Sequence, residues 1–254
     1  MNYYGVLAIY NFEMARAFRT IGQTIVSPVV SAILYFLVFG AAIGKNLDGV
    51  DNVSYGTFIV PGLIMLTVFV QSISNASFGI YFPRYTGTIY EILSAPLSSL
   101  EIILGYVSAS ATKSIIVGII VLTITACFVS IEIKHPSWMI FFLVISSIIF
   151  SLLGFIIGIW ADSFDKLRII PFLVITPLTF LGGSFYSIDM LPQFWQKISL
   201  INPVVYLISG FRWSFYESTY ISPVVSVAAI IIFLGLSIAF VVWVLNTSHG
   251  LKNK

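Results

Sequence analysis

The chain has 254 residues, of which 59% are hydrophobic and only 9% are charged, and its mean hydropathy is +1.03. Soluble domains carry roughly 25% charged residues, so this composition indicates a membrane protein and excludes an ordinary soluble fold. The net charge of +2 is small and the chain has no run of Lys and Arg, which excludes a nucleic-acid-binding surface.

Residues 2–19 predict an amphipathic helix that lies in the membrane interface. On a helical wheel, the apolar and polar side chains fall on opposite faces. The apolar face consists of Tyr3, Leu7, Tyr10, Met14, Ala17, Phe18 and Ile21, and the polar face of Asn2, Glu13, Arg16 and Thr20. The start of the first membrane span is a second interpretation of the same residues.

Six apolar runs reach the roughly 20 residues that a helix needs to cross a bilayer. They lie at about residues 22–44, 57–81, 102–129, 138–160, 168–187 and 221–246. Residues 188–220 are too polar and too long for a turn, and they predict a re-entrant outer helical hairpin that breaks at Asn202-Pro203. The expected fold is a single all-α polytopic membrane domain over residues 1–254, with six transmembrane helices, the interfacial helix and this hairpin.

The distribution of Lys and Arg predicts that both termini are on the inner side of the membrane. The inner side would hold Arg16, Arg19, Arg84, Lys113, Lys166, Arg168, Lys252 and Lys254, and the outer side Lys45, Lys134, Lys197 and Arg212. An even number of spans agrees with this orientation. Lys113 lies within the third span, and we expect its ammonium group to extend to the cytoplasmic face, with a substrate contact as the alternative.

Polar side chains in the second and fifth spans are candidates for a permeation path. Thr67, Gln71, Ser74 and Asn75 form one face of the second span, and hydrogen bonds between helices would explain them equally well. The fifth span carries Pro171 and Pro177 beside Thr176 and Thr179, which indicates a moving or cavity-lining helix or else a static kink. The predicted path residues are Gln71, Asn75, Thr176 and Thr179.

No catalytic or metal-binding motif is predicted. His135 and His249 have no partner at metal-ligand spacing, and residues 40–46 depart from a P-loop in length and in the final residue. The pairs Gly40/Gly44 and Gly154/Gly158 instead match the small-xxx-small spacing of closely packed helices. We expect Cys127, the single cysteine, to pack as a small hydrophobic residue. The spans contain no dense basic or acidic cavity, which favours an amphipathic cargo.

A short charged segment interrupts the apolar sequence at residues 84–101. Thr88 to Glu91 and Ser98 to Glu101 each match a capping box, and Pro96 lies between them. These residues predict a short helix, a break and the start of the third span. The short helix is either a docking surface that presents Ile89, Tyr90, Ile92 and Leu93 or an amphipathic helix on lipid.

Four sequence strings resemble the ABC type-2 permease family, the membrane subunits of bacterial ABC exporters. The strings are FIVPGLIM (58–65), YEILSAPLSS (90–99), TPLTFLGGSFYSIDMLP (176–192) and INPVVYLISGFRW (201–213). The resemblance implies a cytoplasmic coupling helix at about residues 86–95 that docks on a separate ATPase. Its contact residues would be Thr88, Ile89, Tyr90, Glu91, Ile92 and Leu93.

The same resemblance implies the partners and the cargo class. A homodimer in the bacterial inner membrane would recruit two soluble ABC ATPase chains, which bind ATP and Mg²⁺, while this chain itself is no enzyme and holds no cofactor. Drugs, lipids and lipid-linked glycans are the expected cargo. The residues alone leave two other classes open: a channel or ion-gradient-driven carrier without an ATPase, and a membrane enzyme that acts on lipids.

Overall fold

The computed structural model describes residues 2–44, 53–217 and 221–247, and the regular elements of this part are all helices. Lys45, Asn46, His249, Lys252 and Lys254, which enter the predictions above, lie outside the described residues. The helices are α1 (Tyr3–Arg19), α2 (Ser27–Tyr35), α3 (Tyr55–Thr86), α4 (Ile89–Ser94), α5 (Ser99–Ala126), α6 (Pro136–Trp160), α7 (Phe164–Ile170), α8 (Thr176–Leu181), α9 (Gln193–Ile201), α10 (Pro203–Tyr216) and α11 (Pro223–Thr247). Helix α2 continues into π-helical turns on both sides, Gly22–Val26 and Phe36–Ile43, and Pro171–Ile175 is a π-helical segment that joins α7 to α8.

Five helices of the described chain are long and apolar enough to cross a membrane. They are Gly22–Gly40, Tyr55–Thr86, Ser99–Ala126, Pro136–Trp160 and Pro223–Val244, and they coincide with five of the six predicted spans. The remaining prediction, residues 168–187, corresponds to α7, the π-helical segment and α8. This helical stretch begins earlier and carries Asp165, Lys166 and Arg168 in its first turns. It ends at Leu181, because Gly183 takes a left-handed backbone conformation with φ of 79°.

Helix α3 is the centre of the bundle and is buried along most of its length. At 32 residues it is about 48 Å long, so it extends past a bilayer core of about 30 Å. A Cβ atom on Gly154 would lie 2.5 Å from the Ile73 carbonyl oxygen, and one on Gly158 would lie 2.4 Å from that of Ser77. The predicted close approach at Gly154 and Gly158 is therefore confirmed, and it brings α6 against α3.

The segment predicted as an outer hairpin, residues 188–220, contains the two helices α9 and α10. The break falls at Asn202, whose side chain accepts a hydrogen bond from the Val204 N–H at 3.0 Å and donates to the Leu178 carbonyl at 2.6 Å. Helix α10 is largely buried in the bundle. Its Arg212 is 7% exposed, donates to the Gly183 carbonyl at 2.7 Å and lies over the ring of Phe58. These contacts attach α10 to the rest of the bundle.

Candidate functional site

The predicted short helix exists as α4, and it spans Ile89–Ser94, less than the predicted 86–95. Helix α3 ends at Gly87, which has φ of 79°, and the chain then turns into α4. The capping box predicted at Thr88 is wrong, because the Thr88 side chain makes no capping hydrogen bond. Its hydroxyl group instead lies 2.9 Å from that of Thr86. The Thr88 side chain is therefore hydrogen-bonded to the end of α3 and not to α4.

Helix α4 presents fewer residues to its surroundings than the sequence indicated. Ile89 is 4% exposed, and Ile92 and Leu93 pack partly against a cluster of side chains from α1, α5 and α6. The expectation that Ile89 lies on the surface is therefore wrong. Tyr90 is 57% exposed, and Glu91 is exposed as well. The outward face of α4 consists mainly of these two side chains and Ser94.

The corner between α4 and α5 also holds the first residues of α1. The capping box predicted at Ser98 and Glu101 is confirmed: the Glu101 carboxylate accepts from the Ser98 N–H at 2.7 Å, and the Ser98 hydroxyl caps Glu101 in return. The same carboxylate accepts a hydrogen bond from the Asn2 N–H. Leu97 packs closely on Gly5 of α1: a Cβ atom added to Gly5 would lie 2.1 Å from the Leu97 side chain. Helix α1 is thus attached to the segment that follows α4.

A groove runs between α3, the π-helical turns beside α2 and the α7–α8 stretch. One cavity of about 500 Å³ and a second of about 290 Å³ share the lining residues Gln23, Val70, Gln71, Phe172 and Thr176. The first cavity is further lined by Arg16, Ala17, Thr20, Thr24, Ser74, Asn75, Ser77, Phe78, Lys113, Leu167, Arg168 and Pro171. The second adds Ser27, Pro28, Ser31, Ala32, Tyr35, Leu66 and Thr67. We call these two connected cavities the groove.

The structure brings three of the four predicted path residues together. Gln71, Asn75 and Thr176 line the groove. Thr179 does not, because its side chain is fully buried and its hydroxyl donates to the Ile175 carbonyl at 2.7 Å. The buried Asn75 Nδ2 makes no hydrogen bond in the described part of the chain. Among the described residues, hydrogen bonds between helices therefore do not explain the Asn75 amide.

Lys113 forms a buried ion pair, so the expectation that it extends to the membrane surface is wrong. Its Nζ lies 2.8 Å from Glu13 Oε2, and the two side chains are 3% and 0% exposed. Arg16 Nη2 lies 2.7 Å from the same carboxylate oxygen. The polar face of α1 is therefore turned toward α5, while Tyr3, Leu7 and Phe18 are exposed. A lone lysine in one span and a lone glutamate on an amphipathic helix were the signals for this pair.

At the opposite end of the bundle, Glu217 joins the loop before α6 to the end of α10. Its carboxylate lies 3.1 Å from Lys134 Nζ and 3.1 Å from His135 Nε2, and the His135 ring stacks on Trp213. The hydrogen bond and the charge of Lys134 lower the pKa of Glu217 below its ordinary value. Cys127, near the same end, is exposed, so the expectation that it packs in the interior is wrong. In the described residues, no group of three His, Cys, Asp or Glu side chains is arranged to hold a metal ion.

The fold and the matched region define the class of protein. Residues 4–216 match the ABC-2 type transporter family, and the chain belongs to that family of transport permeases. It is 36% identical to the inner membrane transport permease YadH of Escherichia coli K12 over 247 residues, which are 97% of this chain and 96% of that protein. It is 26% identical to nodulation protein J of Rhizobium leguminosarum bv. viciae over 74% of this chain and 73% of that protein. A putative transport permease of Cyanophora paradoxa, ycf38, is 27% identical over 78% of this chain and 70% of that protein.

Proposed function

We propose that the chain is the permease subunit of an ATP-driven exporter, energised by a separate ABC ATPase that docks on α4. In this proposal the α7–α8 stretch is the fifth of six spans, the α9–α10 hairpin is re-entrant, α1 lies in the membrane interface and both termini are cytoplasmic. Family membership supports an ABC system, and the similarity to YadH supports a location in the bacterial inner membrane. Two copies of the chain bind two ATPase chains, which hold ATP and Mg²⁺.

One observation carries the docking proposal: α4 is a short helix between two spans, it is fixed from one side, and its other side is open. Ile89 and the half-buried Ile92 anchor it to the bundle, while Tyr90 and Glu91 point outward. A connection between antiparallel helices needs only a few residues, so a helix fixed in this way is more than a connector. Tyr90 and Glu91, with Thr88 at the start of α4, are the contacts that we propose for the ATPase.

The groove is the proposed substrate path, with Gln71, Asn75 and Thr176 in its wall. Closure of the two ATPases on ATP displaces α4, and the displacement reaches the groove by two routes. One route is α3, which precedes α4 and carries Gln71 and Asn75. The other is α1, which is attached to Leu97 and Glu101 and carries Arg16 at the groove. Thr179 is not part of this path.

Site-directed crosslinking tests the docking proposal. Cys127 is exposed, so Cys127→Ser gives a cysteine-free background at little structural cost. Tyr90→Cys is then crosslinked in native membranes, and the products are identified by mass spectrometry. Ser137→Cys is the matched control, because Ser137 is exposed and lies at the end of α6 that is distant from α4. The other end of α6 is the one near α4, since Arg84, at the end of α3, donates hydrogen bonds to the Gly158 and Ile159 carbonyls.

We expect Tyr90→Cys, and not Ser137→Cys, to crosslink to a soluble protein with a Walker A motif. Tyr90→Ala should then reduce ATP-driven export and the stimulation of ATPase activity while the amount of permease in the membrane stays the same. Crosslinks from Tyr90→Cys to lipid alone, together with flux by the purified chain in liposomes without ATP, would show a carrier or channel and would overturn the proposal.

A further inference from the structure

The end of the groove near α1 and α7 is strongly basic, which the sequence did not indicate. Every charged residue that lines this cavity is positive: Arg16, Lys113 and Arg168. Glu13 neutralises part of this charge through its pairs with Lys113 and Arg16, but it is not among the lining residues. Three cations and one anion leave a net charge of about +2 at this end of the groove.

Two buried hydrogen-bond donors at the same place have no acceptor among the described residues. Arg16 Nη1 and Asn75 Nδ2 are buried and make no hydrogen bond within the described part of the chain. Arg168 is exposed and forms no ion pair with the described residues, although Lys166, two positions before it, pairs with Asp162. A buried donor without an acceptor is destabilising, so a ligand that supplies acceptors and negative charge is favoured here.

The rest of the cavity wall is apolar. Val70, Phe78, Leu167, Pro171 and Phe172 contribute to it, and Phe172 is 74% exposed. The groove then continues between α2 and α3 past Pro28, Ala32 and Leu66. A cationic end followed by an apolar channel fits a ligand with an anionic head and a hydrocarbon tail better than it fits a small free anion.

We propose that this end of the groove binds the phosphate headgroup of an amphiphile, with Arg16 and Arg168 as the cationic contacts and Asn75 as a neutral donor. Arginine is suited to this role because its planar guanidinium donates two parallel hydrogen bonds to phosphate oxygens. The tail lies along Phe172 and the shared wall of the two cavities. The inference names the substrate class for the proposed path and so rests on the proposed function.

Calorimetric titration of the purified full chain in a neutral detergent tests this site. The probes are dioctanoyl phosphatidic acid, dioctanoyl phosphatidylcholine with the same tails, and inorganic phosphate. The main variant is Arg168→Gln, because Arg168 forms no ion pair within residues 2–44, 53–217 and 221–247 whose loss would destabilise the bundle. Arg19→Gln is the matched control, because Arg19 is an exposed residue of α1 that does not line the cavity. Its substitution removes the same charge outside the proposed site.

We expect phosphatidic acid to bind more tightly than phosphatidylcholine or inorganic phosphate. Arg168→Gln should weaken its binding at least about tenfold, equivalent to about 1.4 kcal/mol, whereas Arg19→Gln should change it less than twofold. Equal affinity for the two lipids, no effect of Arg168→Gln, or equal losses in both variants would overturn the site. Inorganic phosphate that binds as tightly as phosphatidic acid would show a small-anion site instead of an amphiphile site.

This titration needs no ATPase, so its result is separate from the test of the proposed function. If lipid binding depends on Arg168 but Tyr90→Cys gives no crosslink to an ATPase, the headgroup site is supported and the proposed docking of an ATPase on α4 is contradicted. A crosslink from Tyr90 without headgroup-selective binding would leave the exporter and exclude a phosphate-bearing cargo at this end of the groove.

Discussion

Helix α3 meets α6 on one side and the groove on another, and the two sides follow opposite packing rules. Toward α6, only hydrogen atoms fit at Gly154 and Gly158, and Phe69 stacks on Phe150 with ring centroids 4.1 Å apart. Toward α2 and the α7–α8 stretch, Gln71 and Asn75 line open cavities, and the facing helices contain π-helical segments. The α6 side is therefore a rigid support, because close packing resists displacement. The groove side is a more deformable wall, because π-helical turns mark irregular helices.

The strongest test of the rigid side is Gly158→Leu. The new Cβ would meet the Ser77 carbonyl and the Ile80 side chain at 2.4 Å, and backbone atoms of α3 cannot move aside. We expect the free energy of unfolding to fall by more than about 3 kcal/mol, so that size-exclusion chromatography recovers little folded protein. Gly235→Leu is the control, because nothing lies within 4 Å of a Cβ there. A Gly158→Leu variant that melts like the control would show that α3 and α6 are separable.

The ion pair between α1 and α5 gives the next largest effect. Glu13→Gln leaves both Lys113 and Arg16 without their anion, and we expect a destabilisation of about 3 kcal/mol, measured as a lower melting temperature. Lys113→Met should destabilise the protein less, because Glu13 still forms its ion pair with Arg16. The double variant should recover part of the loss of Glu13→Gln, and strictly additive losses would contradict a direct interaction.

Gln71 and Ser72 are adjacent residues on the two sides of α3, and together they separate transport from stability. Gln71 lines the groove, so Gln71→Leu should reduce export several-fold while the melting temperature changes little. Ser72 is fully buried and its hydroxyl has no hydrogen-bond partner among the described residues, so Ser72→Ala should leave export unchanged and keep or raise the melting temperature. The proposed path would be wrong if Ser72→Ala impaired export and Gln71→Leu did not.

The smallest expected effect is at Glu217, the residue that follows α10. Because its pKa is lowered in the folded protein, its ion pairs stabilise the fold above the ordinary glutamate pKa near 4.5, and this contribution is lost as the pH falls through the lowered pKa. Melting curves of the wild type and of Glu217→Gln should therefore differ at neutral pH and converge in acid. A difference that persists unchanged at low pH would exclude the charge of Glu217 as its cause.

The sequence predicted the helices better than it predicted which way their side chains face. Five predicted spans, the capping box at Ser98 and the break at Asn202 depend on local patterns, and all are present. Local patterns also predicted α4, but Ile89 turned inward because α1 and α5 offer apolar partners that no local pattern contains. Lys113 was misassigned for the same reason, since its partner lies 100 residues away.

The groove was only half predictable. Gln71, Asn75 and Thr176 were recognisable as polar residues in apolar spans, and Thr179 shared that signature although the backbone of its own helix satisfies its hydroxyl. Arg16 and Arg168 were assigned to the inner side from charge alone. That they line one cavity follows from the positions of α1 and of the α7–α8 stretch, which are tertiary features.

The attachment of α1 to α5 has a consequence for biosynthesis. The acceptor of the Asn2 N–H is Glu101, and the partner of Glu13 is Lys113, so α1 is synthesised about 100 residues before its polar partners. At 5–20 residues per second, translation takes roughly 5–20 seconds to reach them. A glutamate is costly in lipid without a partner, so we expect α1 to wait at the membrane surface and to dock only after α5 has inserted. The final position of the first element of this chain is thus set by the insertion of a later one.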